Sequence, residues 1–498
     1  MQRFNISRQS RLFSSSAIRK SIQSDCLSPS LSKLFDKYSI KVKDDDFEHD
    51  LKEPLLKNLE KRGLLETVTN EELVNIAEKK TLGLYCGADP TAKSLHLGNL
   101  LPLMILLHFN LRGHNVTSLI GGATGAVGDP SGRTTERDAM AQETRLTNVD
   151  RIKDQFKKFF SEGVEYAKSR NPLILKEKSK GEYSLRNNHD WWKDIYMLDF
   201  LARYGKFIRI NQMLARDSVK SRLSTEQGLG FNEFTYQILQ AYDFYHLNKN
   251  HQVDIQVGGN DQYGNIVAGV DLISRMKKVE TFNKDRDAYG ITVPLLTTSA
   301  GVKFGKSAGN AIFIDKELTP SYQIYQFMYN TTDEDVQKFM YKFSLLPLNV
   351  IDKIISKHNE DKRKRVGQIT LAIEMCDLIH GEGEGFDNFI ISEILFSKGP
   401  LEYSANEIIS AFRKQNLVKS IERSKLFETP VAQVLYELYE GKKSKGEIRR
   451  TIQSGSVSSG HSKVKITSNE EKINPDTIID DKLILLRVGK QFHIIEVV

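Results

Sequence analysis

The sequence predicts an α/β fold, a parallel sheet covered by helices, followed by an all-helical segment and a small α+β tail. Three observations carry this. From about residue 80 to 300, short apolar runs alternate with helical patterns, the order expected of strands joined by crossover helices. After about residue 319 the period is helical without strand signals, and from about Lys442 a basic helix leads into short β-rich segments. The 498 residues, 39% apolar and 27% charged, have a globular balance that excludes collagen, mucin stalks and wholesale disorder. At about 150 residues per domain, three domains are expected.

The chain opens with 24 residues that hold Arg3, Arg8, Arg11, Arg19 and Lys20, no acid, and scattered Phe4, Ile6, Leu12, Phe13 and Ile18. That is the makeup of a mitochondrial transit peptide, with a disordered basic tail as the alternative. The formal charge of +7 comes mostly from these residues, so whole-chain charge says little about nucleic acid. Cys26, Cys86 and Cys376 are too few and scattered for a disulfide framework or a Cys-based zinc site, so a reducing compartment and no structural metal are expected. Ser94 to Leu111 is the longest charge-free run, but His96, Asn99, Pro102, His108 and Asn110 interrupt it, and no membrane span is expected.

Within the α/β region, Leu82–Cys86, Val116–Ile120, Val253–Val257 and Ile291–Leu296 read as strands, and Leu97–Leu111 as a buried helix. Thr135–Ser161 reads as a charged amphipathic helix. Thr319–Tyr329, Asp333–Lys342 and Asn349–His380 are helical in period, and the polar, Ser-rich stretch Ser454–Lys472 reads as an extended loop. Ligands of such sheets bind at the carboxyl ends of strands, so chemistry is sought in the loops there.

The first such loop, Tyr85 to Thr91, leads into Ser94-Leu95-His96-Leu97-Gly98-Asn99. A helix start offers unpaired amides and a positive dipole end, and Gly98 lets a nucleotide lie against the backbone. Taken alone, His96 reads more simply as a helix cap. The second, Gly121 to Arg133, lacks both the Gly-Lys-Ser/Thr of a phosphate-binding loop and dinucleotide spacing, but Asp129, Arg133 and Arg137 suit a zwitterion beside a polyphosphate. A plain turn with a solvated arginine is the equal alternative.

Tyr236, Gln240 and Asp243 are spaced four and three apart and share one helical stripe. Unpaired, they cannot pack in an apolar core, and the apolar residues on the helix's other sides favour a polar pocket over solvent. Gln256 to Asn265 follows the next strand; Gly258 and Gly259 permit close ligand approach, and Asp261 can accept from ribose hydroxyls, unless Asn260 or Asp261 merely caps a helix. Lys303-Phe304-Gly305-Lys306-Ser307 puts two cations in a Gly/Ser/Ala-rich loop, where they can close over phosphates.

These blocks, in this order, resemble the class I aminoacyl-tRNA synthetases, and in detail the tyrosyl-tRNA synthetases of bacterial and mitochondrial type. The resemblance runs from about Leu31 to the C-terminus and includes Asn187–Trp191. It implies a Rossmann-like catalytic domain (31–318), a helical anticodon-recognition domain (319–430) and an S4-like RNA-binding domain (431–498), after a transit peptide (1–30). The implied reaction is ATP activation of L-tyrosine and transfer to tRNA(Tyr) in the mitochondrial matrix by a homodimer, with Mg2+ on the ATP. By resemblance, Tyr85 and Asp243 hold the phenol hydroxyl, and Asp129, Tyr236 and Gln240 the α-ammonium group. Gln256 and Gln262 complete the tyrosine pocket. Cys86, Gly87, Asp89, Gly98, Gly259 and Asp261 fall at adenylate contacts, with Lys306 also at the ATP. Thr91, His96 and Asn99 would face the transferring phosphate from one side, with Lys303, Lys306, Arg133 and Arg137 clamping pyrophosphate from the other. Lys445, Arg449 and Arg450 resemble the RNA-contacting helix of the tail.

The sequence departs from the family in three places: Asn99 replaces the second histidine of the His-x-Gly-His signature, Arg133 stands where many relatives have lysine, and the stretch before Asn187 is long. Asn99 still offers a donor but cannot become cationic. An RNA-scaffold protein and a tryptophan-specific enzyme are the rival readings; Asp243 with Tyr85 and the C-terminal module favour tyrosine.

Overall fold

The computed structural model describes residues 27–498 apart from 132–134, 136–139, 176–178, 227, 281–285, 308–309 and 398. The transit-peptide expectation falls almost entirely on residues outside those described. The side chain of Ser28 caps the helix Pro29–Lys37. The protein divides into two compact units: one holds the described residues up to Leu318 with Thr331–Gln368, the other Thr319–Asn330 with Ile369–Val498.

The first unit is built on six strands, β1 (Thr67–Val68), β2 (Gly83–Ala88), β3 (Asn115–Ile120), β4 (Tyr183–Asn187), β5 (Ile255–Gly259) and β6 (Tyr289–Val293), in the order β1-β6-β5-β2-β3-β4. All pairs are parallel except β1 with β6. The crossovers are α1 (Leu97–Leu111), α2 (Gln142–Arg170), α3 (Phe231–His251) and α4 (Tyr263–Lys277). Strands β2, β3 and β5 are buried along most of their length, which is why they read as apolar runs. The chain builds outward from β2 to β4 and then returns to the other flank with β5 and β6. That reversal makes the carboxyl ends of β2 and β5 the switch point where a ligand crevice opens.

Helix α1 is buried on nearly every side, with Leu100, Leu101 and Leu103 to Leu107 at most 1% exposed. It packs on the sheet and on the helix Val336–Phe343. The buried Arg62 donates to the carbonyls of Ser344 (2.8 Å) and Leu346 (2.9 Å), and so holds this helix to the N-terminal segment. Helices Val336–Phe343 and Leu348–Glu360, grouped by sequence with the later helical segment, therefore lie in the first unit. The predicted helix 349–380 is two helices, Leu348–Glu360 and Val366–His380, broken where Arg365 takes φ +53°. The charged helix predicted at 135–161 is observed as Gln142–Arg170.

The second unit contains the helices Ser321–Tyr329, Glu384–Phe396 and Ala405–Arg413, and a five-stranded sheet. Its strands are β7 (Val418–Ile421), β8 (Val457–Ser459), β9 (Val464–Ile466), β10 (Leu483–Val488) and β11 (Gln491–Val497), in the order β9-β8-β10-β11-β7. Two corrections follow. The Ser-rich stretch is not a plain loop, because β8 and β9 lie inside it as an antiparallel pair. The segment 319–430, expected to be all-helical, holds one strand, β7, which runs parallel to β11. The helices Val431–Leu438 and Lys445–Gln453 bury Leu435, Ile448 and Ile452 in the core beneath this sheet. Among the described residues no helix is long and apolar enough to cross a membrane.

Candidate active site

A cleft of about 1280 Å³ opens at the switch point, lined by the ends of β2, β3 and β5 and the starts of α1 and α4. That exceeds the usual span of a single small-ligand site and suits an amino acid beside a nucleotide. At its edge, His96 caps α1. Its Nδ1 accepts from Gly98 N–H (3.1 Å), and its own N–H donates to Asn99 Oδ1 (3.0 Å). With Nδ1 an acceptor, the ring proton of the neutral tautomer sits on Nε2. The cap and phosphate readings of His96 are thus compatible, since capping uses one ring nitrogen. A Cβ at Gly98 would lie 3.0 Å from the His96 ring, so a side chain there would push the ring from its capping position.

Deeper in, Tyr85 and Gln256 sit side by side on paired strands. Both are buried, and the Tyr85 hydroxyl and Gln256 Oε1 have no hydrogen-bond partner among the described residues. Opposite them, α3 presents its predicted stripe. Tyr236 donates to Asp89 Oδ2 (2.9 Å), and Thr124 donates to the other oxygen of Asp89 (2.9 Å). Gln240 donates to Gln262 Oε1 (3.2 Å), and Gln262 donates to Asp129 Oδ2 (2.7 Å). Asn265 joins this relay through Gln240 Oε1 (3.1 Å). Asp243, 2% exposed, accepts from Asn188 (3.0 Å), Trp191 (2.8 Å) and Trp192 (2.7 Å).

Burial sets the protonation states. It raises Tyr85 well above the ordinary tyrosine range, with Asp243 adding to the effect, and does the same to Tyr236, where Asp89 adds. Both phenols are neutral donors. Burial pushes Asp243 up to about 7, against the pull of its three N–H donors. It also raises Asp261, helped by Asp129. Asp89, Asp129 and Asp261 thus give one wall of the cleft a negative character that fits an ammonium group. Cys86 is pushed up to about 12 by burial and is a packing thiol, not a nucleophile.

All the predicted cleft residues from Tyr85 to Asn99, together with Asp129, the α3 stripe, Gln256, Gly259, Asp261, Gln262 and Lys303, line this one cleft. Neither Asn260 nor Asp261 caps a helix by its side chain: α4 starts at Tyr263 after a short 3-10 turn, Asn260–Gln262. Lys306 begins a two-residue strand paired with Asn310–Ala311. Arg133 and Arg137 lie outside the described residues. Asn188, Trp192 and Thr124 were not singled out by sequence reasoning. Only the block Asn187–Trp191 signalled two of the three donors to Asp243.

A family model described as tRNA synthetases class I (W and Y) matches residues 77–385. The chain belongs to this family. The synthetase is 48% identical over 440 residues to "Tyrosine--tRNA ligase, mitochondrial" of Saccharomyces cerevisiae, covering 88% of this chain and 87% of the relative. It is 39% identical to "Tyrosine--tRNA ligase 2" of Bacillus cereus, covering 88% of this chain and 98% of the relative. Among solved structures, a C-terminally truncated mitochondrial tyrosyl-tRNA synthetase of Aspergillus nidulans superposes with TM-score 0.63 at 34% identity, over 74% of this chain and all of that one. The equivalent from Coccidioides posadasii gives 0.60 at 33%, over 72% of this chain and 96% of that one.

The synthetase's second unit carries the basic helix predicted from the tail. Lys445–Gln453 turns Ile448 and Ile452 inward, which leaves Lys445, Arg449 and Arg450 exposed on its outer side. Ser444 caps this helix by accepting from Glu447 N–H (3.2 Å).

Proposed function

We propose that the protein is a mitochondrial tyrosine–tRNA ligase, which condenses L-tyrosine with ATP to tyrosyl-adenylate and pyrophosphate and then passes the tyrosyl group to tRNA(Tyr). The observation that carries tyrosine over tryptophan is the Tyr85–Asp243 pair: a neutral buried hydroxyl without a partner among the described residues faces the same cleft as a carboxylate gripped by three donors. A phenol hydroxyl, at once donor and acceptor, satisfies both. An indole N–H satisfies only the carboxylate. A site built to bond a hydroxyl also rejects the analogue lacking it, a rule for which tyrosine-specific synthetases are themselves the standard example.

The chemistry needs no general base, because the substrate carboxylate is the nucleophile and pyrophosphate the leaving group. What remains is positioning and charge stabilisation. Gln240, Tyr236 and Asp129 orient the ammonium group so that the tyrosine carboxylate points toward the start of α1. There Thr91, His96 and Asn99 donate to the phosphate under attack. Gly87, Gly98 and Gly259 let the adenylate lie against backbone, with Asp261 at the ribose hydroxyls and Asp89 beside it. Lys303, Lys306, Arg133 and Arg137 take up the charge of the departing pyrophosphate, with a magnesium ion that arrives on the ATP.

Lys445, Arg449 and Arg450 form a phosphate-contacting face for tRNA, in an S4-like tail. A homodimer is supported by Tyr196, Met197, Leu198 and Ile210, large apolar side chains 64–79% exposed on the first unit. The basic, acid-free N-terminus supports import into the mitochondrial matrix.

The test is amino-acid-dependent ATP–pyrophosphate exchange by protein lacking the first two dozen residues, offered tyrosine, tryptophan or phenylalanine, with Lys306→Ala as control. Exchange with tyrosine alone, lost in the control, is expected. Exchange with none of the three would overturn the reading and leave an RNA scaffold.

A further inference from the structure

Two consecutive tryptophans reach one oxygen. Trp191 Nε1 lies 2.8 Å and Trp192 Nε1 2.7 Å from Asp243 Oδ1, while Asn188 Nδ2 lies 3.0 Å from Oδ2. Neighbours in sequence point to different sides of a helix, so this convergence depends on the helix His189–Trp192 being a single turn. Both rings are fixed: Trp191 stacks on His246 at 4.4 Å, and Trp192 packs on Tyr242 (5.0 Å) and Phe200 (5.3 Å). A carboxylate has about four acceptor positions, and the protein fills three of them. One position is left for a substrate donor.

We propose that Trp192 is a positioning residue for substrate choice: its indole N–H, beside that of Trp191, saturates Asp243 Oδ1, keeping the carboxylate ionised with a single acceptor for the phenol hydroxyl. This rests on the tyrosine-ligase reading. The groups facing Asp243 leave the task to neutral donors. Tyr85 on β2 and Tyr236 and Tyr242 on α3 are raised by burial and uncharged. Asp89, after β2, opposes ionisation. His246 on α3 is lowered by burial to about 4 and is neutral, and Arg186 on β4 bears on His246 and His251. With no cation beside it among the described residues, the carboxylate owes its ionisation near neutral pH to N–H groups, each of which contributes about tenfold or more in proton affinity when bonded to an ion.

The test is tyrosine- and phenylalanine-dependent exchange by the wild-type chain, Trp192→Phe and Trp192→Gln, from about pH 5.5 to about pH 8.5. Phe keeps an aromatic ring and loses the donor; Gln keeps an N–H and loses the ring. In Trp192→Phe the acidic limb of kcat/KM for tyrosine is expected to move up by about one unit, and selectivity over phenylalanine to fall about tenfold, mainly through KM. Trp192→Gln is expected to restore the midpoint in part. Should Trp192→Phe not fold, Trp192→Met carries the same comparison. An unshifted limb and unchanged selectivity in the donorless variant would overturn the inference, as would equal shifts in the donorless and Gln variants, which would mean a packing role. Wild-type protein without tyrosine-dependent exchange would instead defeat the reading of the site itself.

Discussion

Tyr85→Phe separates what the site does for the substrate from what it costs the free protein. The Tyr85 hydroxyl is buried at 1% residue exposure and has no partner among the described residues. An unpaired buried hydroxyl costs about 1–3 kcal/mol, so its removal should stabilise the ligand-free enzyme by up to that amount. The ring itself keeps its packing, including the contact with Phe244 at 5.4 Å between centroids. In the proposed site the same hydroxyl acquires a partner once tyrosine is bound, and a neutral hydrogen bond nets about 0.5–1.5 kcal/mol, or about 2- to 13-fold in KM. The variant should therefore melt at a higher temperature, by about 2 °C per kcal/mol, while binding tyrosine more weakly and discriminating less against phenylalanine. Thermal melts without ligand and exchange kinetics with both amino acids read the two effects separately. A lower melting temperature with unchanged selectivity would refute the reasoning, because Tyr85 would then be an ordinary core residue.

Asp243 holds its proton to about pH 7 in the folded chain against an ordinary aspartate value of 3.8, so its contribution to stability is present below about pH 4 and lost as pH rises through 7. Asp243→Asn should flatten the dependence of melting temperature on pH across that window, and in the wild type tyrosine affinity should improve as pH rises through 7; parallel melting curves for the two proteins would count against this. Arg222 and Glu233, each 1% exposed and paired through both guanidinium arms at 2.7 and 3.1 Å, pin the segment before α3 to its first turn. Arg222→Met strands the carboxylate and should cost about 3–5 kcal/mol in denaturant unfolding; a loss under about 1 kcal/mol would mean that water reaches the pair. Asn99→Asp keeps the acceptor for the His96 N–H but removes the side-chain donor, so melting should be unchanged or slightly higher while exchange falls at least about tenfold. Full exchange by this variant would remove Asn99 from the phosphate's surroundings.

Much of the site was legible because its residues sit at fixed spacings on regular elements. Tyr236, Gln240 and Asp243 share one face of α3, and that face meets the cleft. Strands β2, β3 and β5 announced themselves as apolar runs because helices cover them. The edge strands stayed hidden. β4, Tyr183–Asn187, is half-buried at every position and alternates no pattern, and β7 pairs with a strand more than seventy residues later, a partnership no local period records. Trp192 was invisible as a ligand of Asp243 for a related reason: its role depends on a turn one residue longer or shorter sending the indole elsewhere. The competing simple readings also failed unevenly. The cap expected of Asn260 or Asp261 is not made, because a 3-10 turn delays the start of α4, and Asp261 lines the cleft instead.

At the start of α1 the capping geometry is compatible with the catalytic role proposed for the same residues. His96 and Asn99 each spend one polar atom on the backbone, Nδ1 on the Gly98 N–H and Oδ1 on the His96 N–H. Those bonds fix ring and amide orientation before any substrate arrives, which in the proposed reaction spares reorganisation when charge develops. The requirement at position 99 is then an acceptor turned back to the backbone and a donor turned to the cleft, three residues after the cap. Asparagine supplies both in one planar group and without a charge. The departure from the second histidine of the signature is consistent with that geometry, and in the proposed reaction the positive charge it forgoes is left to the cations assigned to pyrophosphate.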